Sequence, residues 1–142
     1  MPRKLFLSLL LLVLALAGCD RDDPRAQLDA AVKQLQDNLE AKNSGAVIDQ
    51  LAGDFRANGE SDRDWARRTM TLMFLRHQQV KVILLSSESR VDPTYTNRGH
   101  TDAQVALTGA ENLIPDSAGH YSVKLEWWRD GAEWKLARLD WQ

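Results

Sequence analysis

Apolar residues recur at helical spacing in the first half of the domain and at strand spacing in the second. Leu28, Val32, Leu35 and Leu39 step by four, three and four. That spacing sets them on one stripe of a helix from about Arg25 to Lys42, with Pro24 at its start, where a missing N–H costs nothing. Asn43-Ser44-Gly45 breaks the pattern. Val47, Ile48, Leu51 and Phe55 then share one face of a second helix, capped by Ser44 and ended by Ala57-Asn58-Gly59. Ser61, followed three positions later by Asp64, reads as a capping box with a short acid, opening a third helix through Trp65, Thr69, Leu72, Met73 and Arg76. Its middle, Met70 to Leu75, is apolar on nearly every side apart from Thr71, which predicts the most buried helix of the three.

After Gln79 the period changes to two. Val80 to Val91 opens with a β-branched run, and Pro93 to Gly99 is rich in turn residues. Thr101, Ala103, Val105 and Leu107 alternate with His100, Asp102, Gln104 and Ala106, the pattern of a half-buried strand. Glu111 to Gly119 reads as a loop. Tyr121, Val123, Leu125 and Trp127 alternate with Ser122, Lys124, Glu126 and Trp128, Asp130-Gly131 marks a hairpin turn, and Glu133 to Trp141 returns. Three N-terminal helices followed by four antiparallel strands make an α+β domain.

Two registers of the last hairpin have different chemical consequences. With Asp130-Gly131 as the turn, Trp127 pairs with Trp134, Leu125 with Leu136, Val123 with Arg138 and Tyr121 with Asp140, while Glu126 faces Lys135 outside. Unbroken, this register gathers Tyr121, Arg138 and Asp140 on the inner face as donor, cation and base. However, Trp134 and Leu136 differ in parity from Leu139 and Trp141, the signature of one extra residue near Ala137-Arg138. Such a bulge buries Leu139 and Trp141 and turns Arg138 and Asp140 outward. Apolar burial is worth several kcal/mol, whereas enclosing an ion pair carries a desolvation cost that often cancels its attraction, so the bulge is preferred. Tyr121 is then a pocket-edge residue without an acidic partner.

The chain ahead of this domain has a different character. Arg3 and Lys4 precede Leu5 to Ala17, thirteen residues interrupted only by Ser8, the layout of an export signal. As a helix this run reaches about 20 Å, short of a hydrocarbon core of about 30 Å. It ends Leu16-Ala17-Gly18-Cys19, which resembles the lipobox of bacterial lipoproteins. The resemblance implies cleavage after residue 18, acylation of Cys19, and attachment to the membrane of the cell envelope facing the periplasm. Residues 19–24 then form the lipidated cysteine and a short tether, and Asp20 resembles the signal for inner-membrane retention. Asp20 to Pro24 spans about 17 Å when extended. Losing Arg3 and Lys4 takes the formal charge from −2 to −4, so the acyl chains must hold the protein without a polybasic patch.

With 142 residues and a balance of 18 basic and 20 acidic side chains, the composition describes one soluble domain, here 25–142, and lacks the basic field of a non-specific nucleic-acid binder. A single cysteine excludes an internal disulfide or a multi-thiolate metal centre. His77, His100 and His120 have no metal-ligand spacing, Met70, Met73 and Phe74 read as core, and no phosphate loop, nucleophile elbow or triad signature is present, so neither metal nor cofactor is expected.

The element order, closing on Trp134-Lys135-Leu136 and Asp140-Trp141, resembles the nuclear transport factor 2-like (NTF2-like) superfamily, which includes ketosteroid isomerase and scytalone dehydratase. The resemblance implies a cone: helices covering the concave face of a curved sheet, and a pocket in which the family's enzymes set a carboxylate base opposite a hydrogen-bond donor. Carried onto this chain, that constellation is Tyr121, Arg138 and Asp140. The preferred reading is a non-catalytic binding or scaffold module for a protein partner or a small apolar ligand. An isomerase, dehydratase or hydrolase using Tyr121 and Asp140 is the alternative. Trp128 points opposite to Trp127 and, with Ile83 and Leu85, marks a candidate binding surface or sheet-to-sheet dimer contact.

Overall fold

The computed structural model describes residues 23–109 and 119–142. The Asp23 carboxylate accepts a hydrogen bond from the Arg25 N–H at 3.0 Å and caps α1, Pro24–Glu40, with the proline in the first turn. The Leu28–Val32–Leu35–Leu39 stripe faces the core as its spacing requires. Helix α2, Ser44–Gln50, is capped by Asn43 rather than Ser44: the Asn43 side chain accepts from the Ala46 N–H at 3.1 Å.

The second helix does not run to Ala57. It stops at Gln50, and Leu51–Ala57 is a strand, β1, parallel to the last strand, with Leu51 opposite Leu136 and Ala57 opposite Leu139. The spacing of Leu51 and Phe55 fits a helix locally. As a strand the segment buries Leu51, Ala52, Phe55 and Ala57 and also covers a sheet edge that would otherwise expose unpaired backbone groups. Tertiary pairing therefore overrides the local pattern.

Helix α3, Arg63–Arg76, is capped by Asp62, which accepts from the Trp65 N–H at 3.0 Å; the proposed Ser61–Asp64 box does not form. Nor is α3 the most buried helix. Only Ala66 and Met70 are buried, while Leu72 is 54% and Leu75 80% exposed. Helix α1 already occupies the inner face of the sheet, and α3 packs at the side against α2 and β1.

The strands β2 (Val80–Val91), β3 (Arg98–Gly109), β4 (Gly119–Asp130) and β5 (Glu133–Trp141) complete a five-stranded mixed sheet in the order β1-β5-β4-β3-β2, antiparallel except for the β1–β5 pair. The expected four-stranded antiparallel sheet is thus extended by one parallel strand. The last hairpin turns one residue later than the sequence suggests: Asp130 pairs with Glu133, so Gly131-Ala132 is the turn. This puts the glycine, at φ 61°, first in the two-residue loop, where a hairpin tolerates positive φ only in such a residue. Trp127 consequently faces Leu136, Trp128 faces Lys135, and Glu126 faces Arg138. Between Leu136 and Arg138, the partners of Trp127 and Glu126, Ala137 is the extra residue, fully buried, so the bulge lies where the parity change placed it.

The core centres on Trp127, Phe55, Leu28 and Leu136. Several of its buried polar side chains are bonded to one another, although the Trp134 indole nitrogen has no hydrogen-bond partner among the described residues. The Trp127 indole N–H donates to Thr101 Oγ1 at 3.1 Å, Thr101 and Ser89 share a hydroxyl hydrogen bond of 2.8 Å, and Gln50 is held by Asn38 Nδ2 and the Ala31 carbonyl.

Candidate functional site

Register turns the outer face of the sheet into a grid. One row reads Ser86, Gln104, Ser122 across β2, β3 and β4, continued by Gln142 through its backbone bonds to Ser122. The next row is Glu88, Asp102, Lys124, Asp140, and the third is Arg90, His100, Glu126, Arg138. A fourth holds Arg98, Trp128 and Lys135. The neutral row and the charged row beside it line an open trough of about 940 Å³, with Asn58 and Trp141 at one end.

Charges across this face are arranged in compensating pairs. Glu88 stands directly opposite Asp102, an unfavourable like-charge pair. Asp102 is offset by Arg90, whose Nη1 lies 2.6 Å from Oδ2, and by its register neighbour Lys124, which also faces Asp140. The Gln104 amide and Ser122 hydroxyl bond to each other at 2.9 Å. Such a surface offers closely spaced donors and acceptors to a polar ligand or partner.

At the far end of the grid, Trp128 is held between two guanidiniums, with Arg98 at 5.3 Å and Arg138 at 4.9 Å from the ring centroid, and its N–H donates to Glu126 at 2.9 Å. The adjoining β2–β3 loop is pinned by Asp92, whose Oδ1 accepts from the Thr94 and Tyr95 N–H groups. Those bonds, the Tyr95 one first, hold the Asp92 carboxyl below the ordinary carboxylate range, with His100 adding to the effect. The Trp65 N–H does the same for Asp62 at the start of α3. A carboxyl lowered on folding stabilises the fold above its unfolded value and loses that contribution as pH falls through its folded value. The Thr94, Tyr95 and Trp65 amides are therefore expected to be released only once the pH has fallen below the ordinary aspartate value of about 4 and through the lowered folded value. An NMR pH titration should show these three resonances moving together with the Asp92 and Asp62 side chains, and their invariance would refute the assignment.

The sheet does not assemble the constellation of Tyr121, Arg138 and Asp140. Tyr121 is half-buried on the inner face beside Val105, while Asp140 is exposed on the outer face opposite Lys124. Arg138 also lies outside, donating to the carbonyls of Asp54 at 2.9 Å and Ala137 at 2.7 Å. Trp128 and the pair Ile83 and Leu85 share the outer face but not one patch: Trp128 pairs with Arg98 and Ile83 with Ala106, eight residues apart on β3, about 26 Å. Residues 1–22, which carry Cys19, the expected export signal and most of the expected tether, and residues 110–118 lie outside the described residues. Among the described residues no group of His, Cys, Asp and Glu could hold a metal ion, and no helix is long and apolar enough to cross a membrane. Sequence reasoning missed the trough because its rows depend on cross-strand register, although the alternation did mark Asp102 and Lys124 as outward.

No protein-family model and no curated protein matches the chain. Solved structures do. A candidate dehydratase of the NTF2-like family from Streptomyces avermitilis superposes with a TM-score of 0.71 at 12% identity, covering 84% of this chain and 95% of that one. The fold is NTF2-like. Hexachlorocyclohexane dehydrochlorinase LinA-type3 from Novosphingobium barchaimii gives 0.63 at 13% identity, over 87% and 88% of the two chains. Bd1075 from Bdellovibrio bacteriovorus gives 0.69 at 11% identity, covering 81% of this chain, which spans only 40% of Bd1075. At such identities the likeness is one of NTF2-like architecture, carried by the helix-covered sheet.

Proposed function

We propose that this NTF2-like domain is the binding module of a lipoprotein, anchored through acylated Cys19 to a membrane of the bacterial envelope and facing the periplasm, where it recognises a partner rather than transforming a substrate. The observation that carries the binding half is the division of labour between the two sides of the sheet. Among the described residues the inner side is packed around Trp127, whose indole N–H is committed to the Thr101–Ser89 hydroxyl pair, while the larger open surface lined by polar side chains is the outer trough. The trough is polar, which favours a protein partner over a small apolar ligand. A homodimer through this face is one form such a partner could take. The anchor half rests on the lipobox, Leu16-Ala17-Gly18-Cys19.

The rival is an isomerase, dehydratase or hydrolase; fold neighbours bear the names of a dehydratase, a ketosteroid isomerase and a dehydrochlorinase. It needs Tyr121 and Asp140 on one cavity, and their opposite sides of the sheet count against it.

Cys19→Ser tests the anchor. Two or three acyl chains, at about 0.8 kcal/mol per buried CH₂, make release negligible, so the native protein should sediment wholly with membranes. The variant should lose the acyl mass and keep a folded domain. Persistent acylation-independent membrane attachment, with the leader still in place, would refute the lipobox reading.

A further inference from the structure

We propose that the β2–β3 loop, with Arg98 and Trp128 beside it, is the face that the domain lays against the phospholipid surface; this rests on the lipid-anchor reading above. The start of α1 fixes which end of the domain meets the membrane. Asp23, Pro24 and Arg25 line a small cleft with Glu88, Arg90 and Val91, at the end of β2. Gln27 accepts from Arg129 Nη2 at 2.7 Å, and Leu28 lies over Gly99. The loop Asp92–Asn97 joins Val91 to Arg98, so it occupies the pole from which the tether leaves. With Asp20 to Pro24 reaching about 17 Å at full extension, acyl chains on Cys19 keep this pole at the bilayer surface.

The chemistry of the pole suits that position. Tyr95 is 61% exposed although its loop is rigidly built: Asp92 holds the Thr94 and Tyr95 amides, the Arg98 N–H donates to the Tyr95 carbonyl at 2.9 Å, and the Arg129 N–H to the Asn97 carbonyl at 2.7 Å. A fixed, outward tyrosine with no core to enter has the apolar ring and polar tip favoured at headgroup depth. The Arg98 guanidinium lies over both the Tyr95 ring, at 5.6 Å, and the Trp128 ring, at 5.3 Å. It can therefore reach a phosphodiester while its stem and the two rings contribute apolar area. The nearest acids are engaged, Asp92 by amides and His100, and Glu126 by Trp128 and Arg98. A more apolar patch, Leu72 and Leu75, sits at the other pole. Lys42 ties the end of α3 to the end of α1 through the Phe74 and His77 carbonyls, about 25 Å along α1 from the tether.

The full-length protein, produced in bacteria with its own leader, can be reconstituted into vesicles of phosphatidylethanolamine and phosphatidylglycerol as Tyr95→Cys or Leu75→Cys, each carrying a nitroxide. Intact mass reports acylation of Cys19. The expected result is an acylated chain whose label at 95 collides several-fold more with oxygen than with a nickel chelate, while the label at 75 shows the reverse. An acylated chain with a water-exposed label at 95, or with the lipid contact at 75, overturns the proposal and leaves the anchor standing. An unmodified Cys19 overturns the anchor reading and this proposal with it.

Discussion

Replacing Trp127 with alanine is expected to remove about 3–5 kcal/mol of stability, a large share of the roughly 5–15 kcal/mol available to a domain of this size. Three consequences of its position add up. Its side chain is fully buried in the core cluster that also holds Leu28 of α1 and Leu136 of β5, so truncation leaves a cavity that the rigid sheet cannot fill. Its indole N–H is the donor to Thr101 Oγ1, and losing it leaves the Thr101–Ser89 pair with an unmet acceptor. It also faces Leu136 across the strand pair just before the bulge, where register is least redundant. Equilibrium denaturation should show the midpoint falling steeply, with near-ultraviolet circular dichroism lost. A loss below about 1 kcal/mol, the ordinary effect of a surface substitution, would mean that the core is organised around some other side chain.

The second large effect concerns Gly99. A Cβ built there lies 2.7 Å from Leu28 Cδ2 and 3.2 Å from Cδ1, so α1 is seated directly on the glycine backbone. Gly99→Ala should force the helix away or Leu28 out of its rotamer, at a cost of about 1–3 kcal/mol, typical of overpacking. Leu28→Ala alone should cost about 2–5 kcal/mol by leaving a cavity. Together the two changes should be less damaging than the sum, because the new methyl enters space that the leucine has vacated. A double-mutant cycle by chemical denaturation reads this directly: a coupling of at least 0.5 kcal/mol is expected for residues in contact, and strict additivity would show that the clash is relieved elsewhere.

Much of this architecture was legible in the residues. The 28–32–35–39 stripe, the strand alternation from Thr101 to Trp128 and the parity change at Ala137 each report a local period, and local periods survive folding when the tertiary context agrees with them. Three features were not local. Leu51–Ala57 became a strand because β5 needed a partner some eighty positions away. The apolar run of α3 remained partly in solvent because α1 had taken the inner face. The hairpin moved its turn by one residue because Gly131 serves better as the first turn residue than as the second. The candidate site follows the same division. That Asp102, Lys124 and Glu126 point outward was readable from alternation, while the rows that bring Ser86, Gln104 and Ser122 side by side exist only once the register is set.

The parallel pairing of β1 with β5 also constrains how the chain can be made. Leu51 finds Leu136, and Ala57 finds Leu139, only after the whole intervening sequence exists. A ribosome therefore releases the β1 segment long before its neighbour emerges, and pairing the two must meet the entropy of closing a loop of about eighty residues. Until then the β1 segment has no strand to pair with, and the sheet stays open along the edge that it finally covers.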